Sequence, residues 1–261
     1  MTFFQRLVVL TASAVLAVAG TTRAQTYQEN FDDGVADGFT LNGTVNDLPS
    51  PPVVDAGMLR LTNNVNSSVG SAILRDLNPG TAIQSYTFTF TMQSGPGTNP
   101  PADGISVVFG QLAGTEVFGE EGPGGFNGLV ISADYYVNGP PDGSETRREY
   151  TVSVNGAQVA AAGVDPYTNG QALPAGIVLE PGGVLTLIVA GNPIFFKVPT
   201  GFVPEAGDRF GLGARTGGLN AQNRIDDVVI NTVVVPEPAA LGLLAVGALL
   251  LTRPRRARPT D

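Results

Sequence analysis

Leu129-Val130-Ile131-Ser132-Ala133-Asp134-Tyr135-Tyr136-Val137-Asn138, followed by Gly139-Pro140-Pro141-Asp142-Gly143, is the stretch that decides how this chain is read. It begins as a β-branched apolar run of the kind found buried in sheets and ends in turn-forming residues. Asp134 to Asp142 therefore fall where a strand leaves its sheet. Such exits carry function more often than the strands themselves. Side chains alternate along a strand, so Ser132, Asp134, Tyr136 and Asn138 share one face if the strand runs on. Asp134 and Asn138 bring hard oxygen donors to that face, which suit a calcium ion better than a transition metal. The same two residues also fit an ordinary strand end whose side chains bond to their own turn.

The chain around this stretch is rich in turns and short strands. Its 261 residues include 34 Gly and 20 Pro, with 43% hydrophobic and 14% charged content, enough to bury a full core. Tyr86, Phe88, Phe90 and Met92 alternate with Thr87, Thr89 and Thr91, the pattern of a half-buried strand with its large side chains inward. Asn30 to Gly34 with Gly38 to Gly43 reads as a first strand and turn. Further strands are read at Met58 to Thr62, Ser71 to Leu74, Ile105 to Phe109, Tyr150 to Val154, Val184 to Val189, Phe210 to Gly213 and Val228 to Ile230. No segment between the two ends holds a helical period. The expectation is an all-β domain over residues 25–234, built as two antiparallel sheets packed face to face.

Several chemistries are excluded by composition. There is no Cys, so neither disulfides nor thiolate metal sites hold the domain together. There is no His, which removes Ser-His-Asp and Cys-His catalysis and the usual zinc ligands. Residues 25–235 carry 8 of the 14 Lys and Arg but 21 of the 23 Asp and Glu, an acidic body that argues against nucleic acid as a partner.

Both ends read as sorting segments. Residues 1–24 combine Arg6, an apolar run from Leu7 to Ala19 and Thr-Arg-Ala before Gln25, the layout of a signal peptide cleaved after Ala24. At the other end, Pro236-Glu237-Pro238 precedes an apolar segment, Ala239 to Thr252, and then Arg253, Arg255, Arg256 and Arg258. As a helix that segment reaches about 21 Å at ~1.5 Å per residue, short of a hydrocarbon core of about 30 Å. The arginines would hold the tail at the cytoplasmic face. Residues 235–261 closely resemble the PEP-CTERM sorting signal of Gram-negative bacteria that make exopolysaccharide. The resemblance implies transient anchoring in the inner membrane, removal of the tail by an exosortase, and a final place at the cell surface or in the extracellular matrix.

Four short elements within the domain fall in a telling order. Ala102-Asp103-Gly104 leads into Ile105 to Phe109, Gly124-Gly125-Phe126-Asn127-Gly128 precedes the opening stretch, and Thr216-Gly217-Gly218-Leu219 comes last, ahead of Ile225-Asp226-Asp227-Val228. This series resembles the L-type lectins, the concanavalin A-like jelly-roll group of legume lectins and animal cargo lectins. The resemblance implies carbohydrate binding through Asp103, which would follow a cis peptide and accept sugar hydroxyls, and through Tyr136 and Asn138. The main chain of Gly217, Gly218 and Leu219 would add contacts, with Gly124 or Gly125 on the facing loop. It also implies a calcium ion held by Asp134, the Tyr136 carbonyl, Asn138 and Asp142. Many members of that group have Glu where this chain has Ser132, and a His that has no counterpart near Tyr150, so no second metal is implied.

Three functions remain open at this level. The first is a secreted, noncatalytic module that binds a polysaccharide. The second is a matrix scaffold without a ligand, in which Asp103, Asn138 and Gly217 to Leu219 only shape turns. The third, a glycoside hydrolase on the same fold, lacks the expected strand-borne carboxylate pair, because Glu120-Glu121 and Asp226-Asp227 are adjacent and neighbours on a strand point to opposite faces. Arg215 and Arg224, near the last loop, are expected to be solvated surface charges, with a ligand role as the alternative.

Overall fold

Strand alternation, read along the chain, becomes two eight-stranded antiparallel sheets in the computed structural model, which describes residues 23–137 and 148–234. The strands are, in order, β1 (Arg23–Glu29), β2 (Phe39–Val45), β3 (Leu48–Pro49), β4 (Val53–Asp55), β5 (Met58–Thr62), β6 (Ser68–Leu74), β7 (Ile83–Gly97) and β8 (Gly104–Gly110). They continue as β9 (Gly128–Asp134), β10 (Glu149–Val154), β11 (Ala157–Ala162), β12 (Ala172–Glu180), β13 (Val184–Val189), β14 (Asn192–Pro199), β15 (Arg209–Arg215) and β16 (Ala221–Val234). The first sheet runs β14-β13-β12-β7-β16-β5-β4, with β1 also paired to β16, and the second runs β11-β10-β9-β8-β15-β6-β2-β3. No helix occurs among the described residues.

The first strand lies further upstream than the sequence suggests. Asn30 to Gly34 form a turn in which Phe31 has a positive φ of 56°, and β1 precedes it, pairing Arg23 with Val234 through Glu29 with Val228. The Gly and Asp pair that reads as the end of a strand is the turn that follows one.

The core fills the space between the sheets. Tyr86, Phe88, Phe90 and Met92 all point into it, as their alternation with threonines requires. Phe109 stacks on Phe210 at 4.5 Å, and the Tyr86 ring meets both edge-on at 4.9–5.0 Å. From β9, Leu129, Ile131, Ala133 and then Tyr135 enter this core. Val130, Ser132 and Asp134 therefore take the outer face.

That outer face is not left bare. Residues 111–127 fold back over it, and Phe118 and Phe126 pack with Ile73, Val108, Leu112 and Val130 into a second, smaller apolar cluster. Strand β9 is thus buried on both faces, which is why its sequence reads as a nearly continuous apolar run. Phe118 needs a strand without a side chain beneath it, and Gly213 supplies this. A Cβ there would lie 2.4 Å from the Phe118 ring and 2.8 Å from the Gly119 carbonyl oxygen.

Candidate functional site

The register of the second sheet fixes where the chemistry gathers. Arg215 of β15 pairs with Gly104 of β8, Gly104 with Asp134 of β9, and Asp134 with Glu149 of β10. One cross-strand row at the end of the sheet therefore joins the start of β8 to the ends of β9 and β15. Three loops leave this row: residues 98–103, 135–137 and 216–220.

Each loop is tied to the next by backbone bonds. The Asp103 N–H donates to the Arg215 carbonyl at 2.9 Å, and the Tyr135 N–H donates to the Asp103 carbonyl at 2.7 Å. The Ala102–Asp103 peptide is cis. The Ser67 N–H donates to the Gly217 carbonyl at 3.0 Å and Asn66 Nδ2 to the Gly218 carbonyl at 2.7 Å, so the carbonyls of the Gly-Gly turn are used inside the fold. Thr216 Oγ1 locks the same turn, accepting the Ser68 N–H at 2.9 Å and donating to the Val65 carbonyl at 2.7 Å.

Asp103 and the Gly217–Leu219 turn consequently meet. A Cβ on Gly217 would stand 3.1 Å from Asp103 Oδ2, tight enough that the carboxylate would have to shift by a few tenths of an ångström. Gly218 is exposed, with no atom within 4 Å of the corresponding point, and Leu219 is half-buried beside it. Gly125, at φ 67°, also faces open space and lines the same groove as Asp134.

Asp134 is 8% exposed and its Oδ1 accepts the Tyr136 N–H at 2.8 Å, closing a tight turn at the strand end. The strand stops there rather than running on, so Tyr135 goes into the core, where its hydroxyl bonds Ser94 Oγ, and Tyr136 is half-buried. Asn138, Asp142 and the tail residues Pro236, Glu237, Pro238, Arg253, Arg255 and Arg256 lie outside the described residues, as do the apolar segment 239–252 and residues 1–22 of the expected signal peptide, whose last two residues, Arg23 and Ala24, are the first of β1.

Calcium takes six to eight oxygens. Asp134 and the Tyr136 carbonyl offer donors of the right hardness, but no group of three or more acidic side chains stands poised for a metal among the described residues. The described residues alone therefore fall short of a calcium site. Sequence reasoning missed Glu149, which stands directly opposite Asp134 and shares its face. Its partner position becomes visible only through the β9–β10 register, since a loop of more than a dozen residues separates the two in sequence.

The arginines require correction. Arg215 is not a solvated charge: its Nε donates to Asp103 Oδ2 at 3.1 Å and its Nη2 to Glu120 Oε1 at 2.7 Å, with 41% of the side chain exposed. Glu120 comes from the loop 111–127 and is 2% exposed. Burial pushes its carboxyl up from 4.5 to about 7, against the opposing pull of Arg215. Burial also raises Asp103, with Arg215 again opposing. Arg224 is likewise paired, its Nη2 lying 3.1 Å from Asp55 Oδ2, which Arg60 also holds. Asp103 and Glu120, remote in sequence, are thus two carboxyls on one guanidinium. Glu120 is too deeply covered for its carboxyl to reach a substrate.

Comparison with known proteins bears on the fold. No protein-family model and no curated protein matches the chain. Among solved structures, it is similar to the carbohydrate recognition domain of Emp47p, with a TM-score of 0.61 at 17% identity over 79% of this chain and 94% of that one. The exoplasmic/lumenal domain of VIP36 bound to Ca²⁺ and Man3GlcNAc gives 0.57 at 17% identity, covering 80% and 88%. The lectin from Bauhinia forficata in complex with GalNAc gives 0.59 at 15% identity, covering 82% and 100%. The architecture is therefore the concanavalin A-like jelly-roll sandwich.

Proposed function

We propose that this protein is an exported, noncatalytic, lectin-like module that binds a polysaccharide at the edge where β8, β9 and β15 end. The observation that carries this reading is the meeting of the Asp103 carboxylate with the Gly217–Leu219 turn beside Asp134. Asp103 accepts sugar hydroxyls through the oxygen that Arg215 leaves unengaged, and the free N–H groups of Gly218 and Leu219 donate to them. Tyr136 and Asn138 complete the cradle, and calcium, held by Asp134, the Tyr136 carbonyl, Asn138 and Asp142, orders the loop that carries them. The neighbours named above include a lectin fold with bound calcium and oligosaccharide, which supports the reading. A polar, shallow cradle of this kind binds in the millimolar to micromolar range, about −4 to −8 kcal/mol.

The signal peptide and the Pro236-Glu237-Pro238 tail place the mature domain at the bacterial surface or in its matrix, after processing by an exosortase-type enzyme at the inner membrane. A hydrolytic role is not part of this reading, because Glu120, at 2% exposed, is closed off from a substrate and both its carboxyl and that of Asp103 are held by Arg215.

A second reading has its own observation. Asp103 Oδ2 and Asp134 Oδ1 both have partners inside the fold, as in a scaffold whose polar residues serve only its turns. A glycan array probed with and without EDTA separates the two. Calcium-sensitive glycan binding that Asp103→Ala abolishes is the expected result. No glycan binding, together with a melting temperature that millimolar calcium leaves unchanged, would establish the scaffold instead.

A further inference from the structure

The outer face of the second sheet is divided in two. Over β6, β8 and β15 it is closed by Phe118 and Phe126 of the loop 111–127. Over β10 and β11 it is open, with the nearly buried Ser132 and Asp134 of β9 along its inner margin, and the floor is made mostly of short side chains. Ser132 stands opposite Thr151, Val130 opposite Ser153, and Ser153 opposite Gln158 on the next strand. Short floor residues between taller margins leave a groove of about 600 Å³, bounded by Pro123 to Asn127 on one side and by the Asn155-Gly156 turn on the other. Its volume falls within the range of about 300–1,000 Å³ that small-molecule sites occupy. From Val130 to Asp134 the groove runs about 14 Å along β9 at ~3.4 Å per residue, more than twice the length of one sugar ring.

The lining states what fits. Ser and Thr hydroxyls alternate with the side-chain amides of Asn127, Asn155 and Gln158, so donors and acceptors are mixed along its length. Asn155 commits its Oδ1 to the Gly128 N–H at 2.9 Å, which leaves its amide nitrogen as a donor. Among the described lining residues no side chain is basic and Glu121 at the margin is acidic, so an anionic polymer meets like charge there. Phe126, the aromatic ring at the margin, is 9% exposed and offers no open platform for stacking.

We infer that this groove is an extended subsite for a linear, uncharged polysaccharide, continuous with the edge cradle at Asp134 and Gly125. The protein then grips the interior of a chain as well as one sugar. The inference rests on the carbohydrate-binding reading of the cradle and adds the polymer's length and charge to it.

Calorimetric titration of the full-length chain with mono-, tetra- and hexasaccharides of neutral β-glucan and mannan tests it, alongside an oligogalacturonate of matching length. Affinity should rise about tenfold or more from mono- to hexasaccharide, as adjoining contacts act together, and the oligogalacturonate should bind more weakly than the neutral chains. Ser153→Trp, which fills the floor, should erase the gain with length and keep monosaccharide binding. Gln158→Ala, an exposed truncation that does not challenge folding, should reduce the gain. A length dependence that survives both substitutions, a wild type that binds monosaccharide but shows no gain with length, or a preference for the uronate chain each overturns the extended subsite. Asp103→Asn should weaken binding at every length. Failure of the wild type to bind any saccharide would overturn the carbohydrate reading itself, and this inference with it.

Discussion

At the scale of single residues, the site turns on one guanidinium. Arg215 spans Asp103, which stands beside Gly217, and Glu120, which is a buried residue of the loop 111–127. Burial raises Glu120 to about 7 from 4.5, so the folded chain holds that proton more tightly than the unfolded one. The corresponding stability is fully present below about pH 4.5 and is lost as pH rises through about 7, up to about 3 kcal/mol. Urea denaturation at several pH values should show stability falling across that window, and Glu120→Gln should flatten the fall. An unchanged slope in that variant would assign the effect elsewhere. Gly217 is the second sensitive point, since a Cβ there presses on Asp103 Oδ2 at 3.1 Å. Gly217→Val should reduce glycan affinity about tenfold or more while leaving the melting temperature within a few degrees, because the turn is open on its other side. None of these contacts could be read from the sequence, because Asp103, Glu120 and Arg215 are brought together by sheet register and a folded-back loop. What could be read was the turn chemistry of Ala102-Asp103-Gly104 and Gly217-Gly218.

Among the elements, β9 and the loop 111–127 position the site. The inward set Leu129, Ile131, Ala133 and the outward set Val130, Ser132, Asp134 follow from alternation and were legible from the sequence. The exit of the strand from Asp134 onward was legible as well, but that it does not run on to Tyr136 was not, because Tyr135, Tyr136 and Val137 have strong strand propensity and only the Asp134–Tyr136 turn overrides it. Strands β11, β12 and β14 were also not evident. Their Ala, Gly and Pro content reads as loop, and pairing to neighbours supplies what local preference does not. The loop 111–127 looks like a connection, yet Phe118 anchors it on Gly211 and Gly213. Phe118→Ala should cost about 3 kcal/mol by urea denaturation. It should also loosen the hold on Glu120, so glycan affinity should fall with stability. Loss of less than about 1 kcal/mol would mean that the loop is held by its backbone bonds instead.

For the whole molecule, the absence of His and Cys leaves core packing to hold the domain together, and the two-sheet sandwich provides it. The fold class was legible because buried alternation, turn residues and the lack of any helical period all pointed one way. The site was legible only as a set of turns, whose meeting at one end of the sandwich depends on β8, β9 and β15 being neighbours in the sheet. A crystal structure of the protein soaked with mannosyl and β-glucosyl oligosaccharides measures that meeting most directly. The account predicts a sugar whose hydroxyls lie about 3 Å from the Asp103 carboxylate and the Gly218 N–H, with the rest of the chain running over Ser132 and Thr151. A sugar bound on the other sheet, or clear density for Asp103 and Gly218 with none beside them at saturating ligand, would contradict it.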